Sequence, residues 1–552
     1  MTCSRGVEAP RSVPQDVKDA VVQVMTERKL QVMDSAVRKT IELYDTELAR
    51  HSVMVVGATG VGKSTAWKTL QTALCNLLKA APTKYSQVRT HILNLKALTL
   101  GELYGEFNMQ TNKWTDGVLS SIMRTVCAAD ESGDNKWAVF DGPVDTLWIE
   151  SMNSVMGDNK VLTLINGQRF VLPEQVSLLF EVENLAAASP ATVSRCGMVY
   201  MDYADIGWRP AITSWIQSKE NETLCTDIIA VHESTIVRSI PVFFDSLVAM
   251  EGSALAPDRV IEMWFLFSVI WAVGGPLRDT SRNKFGMFLR EIDGQFPSKD
   301  TVYEYFVAED KEAWLLWETR LPDNWRYPTN VPFYKIFVPT IDTLRIEYLS
   351  KSLIQAKQPC LVVGDVGVGI TSLLQSVLSQ SDEHTAVLSI PFSTRTTANR
   401  LQQIIDGKLK KRTKNVFVPI GGKHLICFID DLNMPAKDAF GSQGPLEFLR
   451  HWMDFGYCFD KQKQLVKHVH EVQLVAAMGP PGGGRNPLSS RVQSRFHDRR
   501  CSAFYVCPVY YYPIRAEVRG RASFVIAMDV RSGTHDADYW IQRVTACILS
   551  TS

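Results

Sequence analysis

Several patterns are missing from this 552-residue sequence, and each absence excludes a class of protein. The eleven cysteines are scattered and form no Cys-x-x-Cys pair and no zinc spacing, which favours buried thiols in a reducing compartment over a disulfide framework. The start, MTCSRGVEAPRSVPQ, lacks the apolar region of a secretory signal. The longest apolar run, MWFLFSVIWAVGG from Met263, is too short to span a bilayer, so we predict a buried helix there.

An excess of charge of one sign is also missing. Lysine plus arginine number 59 and aspartate plus glutamate number 59, so net charge gives no reason to expect nucleic acid or an anionic membrane as a partner. The hydrophobic fraction of 45% is ordinary for a globular protein that buries real cores. At about 150 residues per domain, the length predicts three or four compact units.

What the sequence does contain is one order of elements that occurs twice. HSVMVVGATGVGKSTAWKTLQ from His51 and QPCLVVGDVGVGITSLLQ from Gln358 each hold an apolar strand, glycines and a helix pattern. Each is followed by an apolar strand that ends in acid, in residues 136–142 and 424–431, and then by a third strand and an arginine. This alternation predicts an α/β fold with tandem P-loop modules, each a parallel sheet flanked by helices.

The repeat also sets the expected domain boundaries. The segment between the two copies reads as helical and rich in tryptophan, which predicts a helical subdomain there. In the first copy, VLTLINGQRFVL holds Asn166-Gly167 between alternating residues, which predicts a hairpin with a type I′ turn. The expected order is a divergent N-terminal segment (1–21), a large subdomain (22–205) and a helical small subdomain with a connector (206–330). A second large subdomain (331–500) and a divergent tail (501–552) follow.

The loop of the first copy matches the complete phosphate-binding motif G-x-x-x-x-G-K-[ST]. Glycines let backbone N–H groups close around phosphate oxygens, and the helix that follows adds its dipole. We expect Lys63 to reach the β and γ phosphates of ATP or ADP and the Ser64 hydroxyl to bind Mg²⁺. The candidate nucleotide-binding residues are Gly57, Ala58, Thr59, Gly60, Val61, Gly62, Lys63, Ser64 and Thr65.

The acidic strand of the first copy supplies the second candidate metal ligand, Asp141. In hydrolysing relatives of such sites the next residue is usually a glutamate that activates water, and here it is Gly142, which has no side chain. Asp145 and Glu150 lie beyond the end of the strand. We therefore predict tight binding of Mg-nucleotide with poor hydrolysis. The alternatives are an active ATPase at the Lys63 site that uses another carboxylate, and a scaffold whose two sites are both vestigial.

The second copy keeps most of these features but has Ile370 where the motif has lysine. Because hydrogen bonds to charged groups are worth about 1.5–3 kcal/mol, this change predicts nucleotide binding weakened about ten- to a hundredfold or more. Three interpretations stay open: a site that no longer binds nucleotide, weak binding through backbone amides and metal, and a sequence or assembly oddity at this codon. The candidate residues are Gly364, Gly367, Gly369 and Thr371 for nucleotide, Thr371 and Asp430 for metal, and Asp431 in the position of the water-activating acid.

Long stretches of the sequence closely resemble a dynein heavy chain of the axonemal type. YGEFNMQTNKWTDGVLSSIMR, FDGPVDTLWIESMNSVMGDNKVLTLINGQRF and FEVENLAAASPATVSRCGMVYMDYADIGW resemble the second AAA+ module of that motor. VPTIDTLRIEYLSKSL, FIDDLNMPAKDAFGSQGPLEFLRHWMDFG and PPGGGRNP resemble the third. The resemblance runs from about residue 22 to about residue 497. It implies two modules of a six-member ring that moves a linker and a microtubule-binding stalk, for ATP-driven, minus-end-directed motion.

The resemblance also implies site residues and partners. AAA+ sites are completed by an arginine from the next module, so Arg195 is expected to act on the preceding module of the ring. Arg495, with Arg491 as the alternative, is expected to act on the Lys63 site. The second module of this family generally binds nucleotide without turning it over. The implied partners are other modules of a dynein ring, dynein intermediate and light chains and microtubules, in the cytoplasm, cytoskeleton and ciliary or flagellar axoneme, with no nucleic acid and no membrane.

Overall fold

The computed structural model forms two compact units. The first unit is made of Met1–Cys225 and Lys437–His468, and the second unit is made of Thr226–Ala436 and Val469–Ser552. The segment 437–468 follows the second glycine loop in sequence but folds as part of the first unit. The structure describes residues 14–506 and the strands 511–512 and 526–527, with gaps at residues 109–112, 129–132, 158, 207–209, 211–213, 215–233, 252–256, 276–278, 293–295, 298, 323–338, 365–368, 461–462 and 498–502.

The first unit is built on a five-stranded parallel sheet. Its strand order is β2-β3-β4-β1-β5. Nearly every residue of β1, β3 and β4 is buried, because helices cover both faces of a parallel sheet and leave neither face to water. The strands are β1 (Ser52–Val56), β2 (Val88–Leu93), β3 (Asn135–Asp141), β4 (Val176–Val182) and β5 (Gly197–Tyr200).

The two faces of this sheet bury separate hydrophobic cores. Val53 and Val55 of β1 belong to one core, and Met54 and Val56 belong to the other, as expected when successive side chains of a strand point to opposite faces. The core that contains Met54 also includes Phe459 from segment 437–468. The helices of Met1–Cys225 are Gln15–Glu27, Asp34–Ala49, Lys63–Ala80, Leu100–Tyr104, Val118–Val126, Thr146–Met156, Pro190–Arg195 and Tyr203–Ile206, with a 3-10 turn at Leu95–Ala97.

Segment 437–468 contributes a helix and most of a hairpin to the first unit. The helix Gly444–Phe455 has a proline in its first turn and ends at Gly456, whose φ of 71° is the left-handed conformation that closes many helices. The antiparallel strands Tyr457–Asp460 and Leu465–Val469 follow. The Tyr457 hydroxyl donates a hydrogen bond of 2.9 Å to the Ile92 carbonyl of β2. The hydrogen bond and the buried Phe459 fix the segment against the sheet.

The predicted hairpin around Asn166-Gly167 is present, but its predicted type I′ turn is wrong. Strand Val161–Thr163 pairs with Arg169–Val171. A type I′ turn needs positive φ at both central residues, whereas Gly167 has a φ of 82° and Asn166 is not among the residues with positive φ. Leu164 N donates to the Gln168 carbonyl at 2.9 Å and Gly167 N to the Leu164 carbonyl at 3.0 Å. The loop therefore has three residues and closes with a left-handed glycine. A second hairpin pairs Gly105–Phe107 with Trp114–Asp116.

The second unit repeats the sheet of the first. Its strand order, β7-β8-β9-β6-β10, is the same in topology, and all its pairings are parallel. The predicted fold class, tandem P-loop modules with parallel sheets flanked by helices, is confirmed. The strands are β6 (Cys360–Gly364), β7 (Thr385–Pro391), β8 (His424–Asp430), β9 (Val472–Met478) and β10 (Ala503–Val506).

A helical region rich in aromatic residues precedes this sheet. The predicted buried helix from Met263 is confirmed, because Asp258–Val269 continues into a π-helical turn at Ile270–Gly274 and both are largely buried. Phe267 contacts the rings of Trp317 and Tyr348. Within the described part of the chain, no helix is long and apolar enough to cross a membrane.

The remaining elements of the second unit surround its sheet and the aromatic region. They are the helices Ser234–Glu251, Asp279–Ile292, Ile341–Gln355, Ile370–Ser379, Ala398–Asp406 and Ser490–His497, the hairpins Tyr305–Ala308 with Ala313–Leu316 and Leu409–Lys411 with Val416–Pro419, the 3-10 turns Val302–Glu304, Glu309–Lys311, Trp317–Arg320 and Ile420–Gly422, and the strand pair Tyr511–Tyr512 with Ile526–Ala527.

Candidate nucleotide-binding site

The predicted phosphate-binding loop joins β1 to the helix Lys63–Ala80. Gly57 N donates to the Val182 carbonyl of β4 at 3.2 Å, which holds the start of the loop at the carboxyl edge of the sheet. A Cβ on Gly57 would lie 2.2 Å from the Met201 carbonyl oxygen, so only glycine fits there. Gly60 and Gly62 have φ values of 87° and 90°. These left-handed values are typical of loops whose backbone N–H groups bind phosphate.

Lys63 lies inside this loop. The residue is only 6% exposed, and its ammonium donates to the carbonyls of Gly57 at 2.6 Å and Ala58 at 2.7 Å. A buried ammonium at the N-terminus of a helix gives the loop the positive charge that a phosphate group needs. The geometry fits the predicted contact of Lys63 with phosphate oxygens.

The other residues predicted to line the loop differ in their surroundings. Val61 is 1% exposed and packs into the core. The Thr59 carbonyl accepts a hydrogen bond from the Tyr203 hydroxyl, whereas Thr65 is exposed. Val61 and Thr59 thus have structural contacts in addition to any contact with a nucleotide.

The hydroxyl of Ser64 is hydrogen-bonded to Glu181. Ser64 Oγ lies 2.7 Å and 2.9 Å from the two carboxylate oxygens of Glu181, on β4. The same carboxylate accepts from the indole N–H of Trp67 at 3.1 Å. Glu181 is 6% exposed. It pairs in register with Asp141 of β3, so two acidic residues lie on neighbouring strands near the carboxyl edge of the sheet.

Asp141, the predicted metal ligand, is bound by Arg450 of segment 437–468. Arg450 Nη1 donates to Asp141 Oδ2 at 2.9 Å, and Nη2 donates to the Asp141 carbonyl at 2.8 Å. Asp141 is 3% exposed, and Arg450 is fully buried. A charged pair out of water with two hydrogen bonds is a strong contact. The structure therefore brings Asp141 to an arginine, and brings Ser64 to Glu181.

Arg450 has two further acidic partners on its own helix. Its Nε donates to Glu447 at 2.9 Å and its Nη1 to Asp454 at 3.1 Å. Burial alone would lower the pKa of Arg450, but Asp141, Glu447 and Asp454 hold it above the ordinary value. We call these four side chains the Arg450 cluster. One guanidinium thus donates hydrogen bonds to three buried carboxylates, and Arg450 is the central charge of the cluster.

The surroundings of Gly142 leave little room for a water-activating side chain. A Cβ there would be 3.1 Å from the Asn94 side-chain oxygen. Asn94 in turn donates to Glu447 at 3.0 Å. Asp145 accepts from Trp148 N at 3.0 Å as a helix cap, and it forms an ion pair with Lys96. Asp145 therefore has structural partners.

The donor set at this edge of the sheet suits magnesium. Mg²⁺ prefers hard oxygen ligands and usually combines one or two protein ligands with waters and substrate phosphates. Ser64 and Glu181 supply such oxygens, whereas the Asp141 carboxylate on the neighbouring strand is paired with Arg450. Within the described residues, no group of three or more His, Cys, Asp or Glu side chains could hold a metal ion by itself. The site therefore fits a magnesium ion that is carried in with a nucleotide.

The second loop matches the first where it is described, and residues 365–368, with the predicted Gly367, lie outside the described residues. Gly369 has a φ of 83° and immediately precedes the helix that begins at Ile370, as Gly62 precedes the helix that begins at Lys63. Gly364 ends β6.

The two metal candidates of the second loop contact each other. Thr371 Oγ1 donates to Asp430 Oδ1 at 3.1 Å. Burial raises the pKa of Asp430, and the hydrogen bond from Thr371 opposes that rise. Asp431 has a φ of 55° and pairs with Arg485 at 3.3 Å. The hydroxyl and the acidic strand end predicted for this site are thus brought together in the structure.

The candidate arginines lie on short helices after the third strand of each module. Arg195 ends the helix Pro190–Arg195, beside Gly157. Arg491 and Arg495 share one face of the helix Ser490–His497, because they are four residues apart. Arg491 is 6% exposed. The roles assigned to all three in neighbouring sites stay predictions.

Glu181 and Arg450 were absent from the sequence-based prediction. Glu181 had a signal, because it is a charged residue inside the apolar strand LLFEV. The sequence predicts part of the surroundings of Arg450, since Glu447, Arg450 and Asp454 are spaced to share one helix face. No sequence pattern predicts the contact of Arg450 with Asp141, which lies 309 residues away in sequence.

Family models that describe dynein match along the chain. A model described as P-loop containing dynein motor region matches residues 325–504, and the dynein heavy chain AAA lid domain matches residues 211–319. The AAA domain of the dynein-related subfamily matches residues 52–196, and a model described as hydrolytic ATP binding site of dynein motor region matches residues 4–64.

Curated relatives show the same similarity over most of the chain. Dynein axonemal heavy chain 2 of Mus musculus is 51% identical over 508 residues, covering 87% of this chain and 11% of that protein. Its Homo sapiens counterpart is 50% identical over 508 residues, covering 87% of this chain and 12% of that protein. The chain belongs to the dynein heavy chain family. The dynein-1-beta heavy chain of the flagellar inner arm I1 complex of Chlamydomonas reinhardtii is 43% identical over 556 residues, covering 89% of this chain and 12% of that protein.

The family assignment confirms the resemblance noted from the sequence, and the P-loop units are dynein AAA+ modules. The chain spans about a tenth of the length of these dynein heavy chains, 11% or 12% in the three cases above.

Proposed function

We propose that this chain is an ATP-binding AAA+ part of a dynein heavy chain that drives ATP-dependent, minus-end-directed motion on microtubules in a cilium or flagellum. In this proposal, the Lys63 site holds Mg-ATP or Mg-ADP with little hydrolysis. The nucleotide stabilises one arrangement of the module, and the module passes conformational change around the ring. The chain is a mechanical relay with weak turnover or none.

Nucleotide binding at the Lys63 site is supported by the loop geometry. Two left-handed glycines, the helix N-terminus and the buried Lys63 ammonium together form a site for an anion. Ser64 provides a hydroxyl that is hydrogen-bonded to the buried carboxylate of Glu181, which suits the magnesium ion of a nucleotide. The observation that carries the proposal is the pair of contacts from Lys63 to the loop carbonyls of Gly57 and Ala58.

Poor hydrolysis is supported by the end of β3. Attack on the γ phosphate needs a group that positions or activates water. The residue after Asp141 is Gly142, which carries no such group. Asp141 itself is paired with Arg450. Arg495, or Arg491, would complete the Lys63 site from the neighbouring module, and Arg195 would act on the preceding module.

The location and partners rest on the relatives. Two of them are named as axonemal heavy chains, and one is named as part of a flagellar inner arm complex. We place the parent molecule in the cytoskeleton of the axoneme, with microtubules, intermediate and light chains and other ring modules as partners.

The proposal can be tested on the 552-residue chain by titrating it with fluorescent ATP and ADP in the presence of Mg²⁺. We expect one tight site in the wild type and a loss of affinity of about tenfold or more in Lys63→Ala, because a charged hydrogen-bond donor is removed. Lys79→Ala is the control, since Lys79 is an exposed lysine on the same helix.

Steady-state phosphate release should be measured in parallel. We expect turnover close to the background rate in wild type and in Lys63→Ala. Turnover that Lys63→Ala abolishes would support an active ATPase instead. Equal nucleotide affinity in wild type and Lys63→Ala would contradict the proposal altogether.

A further inference from the structure

The hydroxyls that follow the two phosphate-binding loops donate hydrogen bonds to carboxylates on different strands of their sheets. In the second unit, Thr371 donates to Asp430 at the end of β8. In the first unit, Ser64 donates to Glu181 on β4. Strand β4 is the direct neighbour of β1, whereas β3, which ends in Asp141, lies one strand farther away. The first unit therefore presents a carboxylate one strand nearer to its phosphate-binding loop.

The register explains why only the first unit has this nearer carboxylate. Val55 of β1 pairs with Glu181, and Val362 of β6 pairs with Ala477. Both valines lie two residues before the first glycine of their loop, so Glu181 and Ala477 occupy equivalent places. Alanine has no side-chain acceptor. In the second unit the threonine hydroxyl reaches past Ala477 to Asp430, whereas in the first unit Glu181 accepts the hydrogen bond.

Asp141 meanwhile has another partner for its charge. The Arg450 guanidinium contacts both its carboxylate and its carbonyl. Both residues are buried, with Asp141 3% exposed and Arg450 fully buried. An ion pair out of water is hard to separate, because each partner would be left as an uncompensated buried charge. Turning Asp141 toward a metal ion would therefore break a strong contact.

We propose that Glu181, and not Asp141, is the carboxylate that faces the magnesium ion at the Lys63 site, because Arg450 neutralises Asp141. This inference rests on the proposed nucleotide binding at that site. Glu181 already holds the Ser64 hydroxyl, and Ser64 is the residue that a P-loop offers to Mg²⁺. Arg450 acts as a positioning residue that fixes Asp141 in a structural role.

The test measures nucleotide affinity as a function of free Mg²⁺, with fluorescent ATP and an EDTA-buffered magnesium series. Glu181→Gln should raise the Mg²⁺ concentration for half-maximal binding about tenfold or more, because the ligand loses its charge. Asp141→Asn, the matched change on the neighbouring strand, should stay within about threefold of wild type, since in this proposal it removes no metal ligand. Thermal unfolding of each variant confirms that it is folded.

The reverse order, with Asp141→Asn raising the Mg²⁺ requirement and Glu181→Gln leaving it unchanged, would overturn the inference. If Asp141→Asn does not fold, Glu181→Gln decides alone, and a wild-type Mg²⁺ requirement in that variant would overturn the inference.

The failure of this inference is distinguishable from the failure of the proposed function. If wild type and Lys63→Ala bind nucleotide equally, the proposed function fails and the inference fails with it. If Lys63→Ala loses binding while Glu181→Gln keeps the wild-type Mg²⁺ requirement, the proposed function stands and only the inference is overturned.

Discussion

Lys63 and Ile370 occupy the same position in the two units. Each is the first residue of a helix that follows a left-handed glycine, with φ of 90° at Gly62 and 83° at Gly369. Each is almost completely buried, with exposed fractions of 6% and 8%. The helix of the second unit therefore begins as that of the first does, after a left-handed glycine, but with a hydrocarbon in place of the ammonium.

Ile370→Lys should create a second nucleotide site. The new ammonium would start its helix where Lys63 does, beside a hydroxyl–carboxylate pair that already exists between Thr371 and Asp430. We expect the stoichiometry of Mg-ATP binding in calorimetry to rise from one to two. Ile370→Met is the control, because it adds length without charge. Two nucleotides per wild-type chain would show instead that backbone amides and metal suffice without lysine.

Arg450→Met should destabilise the first unit strongly. The change leaves three carboxylates buried without their cation, and the loss of one partner from a buried ion pair costs about 3–5 kcal/mol. The control is Arg124→Met, which removes a pair with Asp116 whose side chains are 49% and 26% exposed. An exposed pair is worth at most about 1 kcal/mol. Urea denaturation measures the free energy of unfolding of both variants. An equal decrease in the two variants would contradict the prediction.

His451 should make the first unit sensitive to mild acid. It is 3% exposed, and neither ring nitrogen has a hydrogen-bond partner among the described residues. Burial, and next the charge of Arg450, lower the pKa of His451 to about 3. An unfolded histidine has a pKa of about 6.5, so between these values only the unfolded chain takes up the proton. Stability should therefore fall as the pH falls below about 6.5.

The expected loss between pH 7 and pH 5 is about 2 kcal/mol, because each pH unit in the window contributes about 1.4 kcal/mol. His451→Phe keeps the ring contacts with Phe455 and Tyr457 and removes this proton linkage. We expect the melting temperature of His451→Phe to fall less between pH 7 and pH 5 than that of the wild type. The exposed His384 provides the control variant His384→Phe. An unchanged pH dependence in His451→Phe would refute the prediction.

Gly57→Ala should reduce nucleotide affinity by displacing the loop. The new Cβ would lie 2.2 Å from a backbone oxygen, that of Met201, which cannot move alone. We expect a loss of about tenfold or more in ATP affinity, equivalent to about 1.4 kcal/mol. Gly167→Ala is the matched control, because Gly167 has a positive φ with nothing within 4 Å of a Cβ. It should lower stability by about 1 kcal/mol and leave affinity unchanged.

The fold was largely predictable because its signals are local. Apolar strands, glycine loops and helix patterns recur in the same order, and this order identified both parallel sheets. The turn at Asn166-Gly167 was predicted with the wrong type, because a three-residue loop and a two-residue loop share the same Asn-Gly signal. Membership of segment 437–468 in the first unit was not predictable, since nothing in its residues points to strands some 300 positions earlier.

The site was predictable only in part, for the same reason. The loop motif placed Lys63 and Ser64 correctly at the start of one helix, because motif residues are neighbours in sequence. The partner of Ser64 depends on strand order and register, which bring Glu181 beside β1. The partner of Asp141 depends on a helix far along the chain. Spacing within a motif carries no information about either contact.

The discontinuous make-up of the first unit has a consequence for the order of events during synthesis. Arg450 follows Asp141 by 309 residues, which at about 5–20 residues per second is a delay of about 15–60 s on the ribosome. Until then the first unit lacks Phe459 from its core and the guanidinium from its buried carboxylates. Strand β6 of the second unit has been made by that time. The core of the first unit is therefore completed by the later part of the chain, and Asp141 at the edge of the sheet receives its partner only after residue 450 has been made.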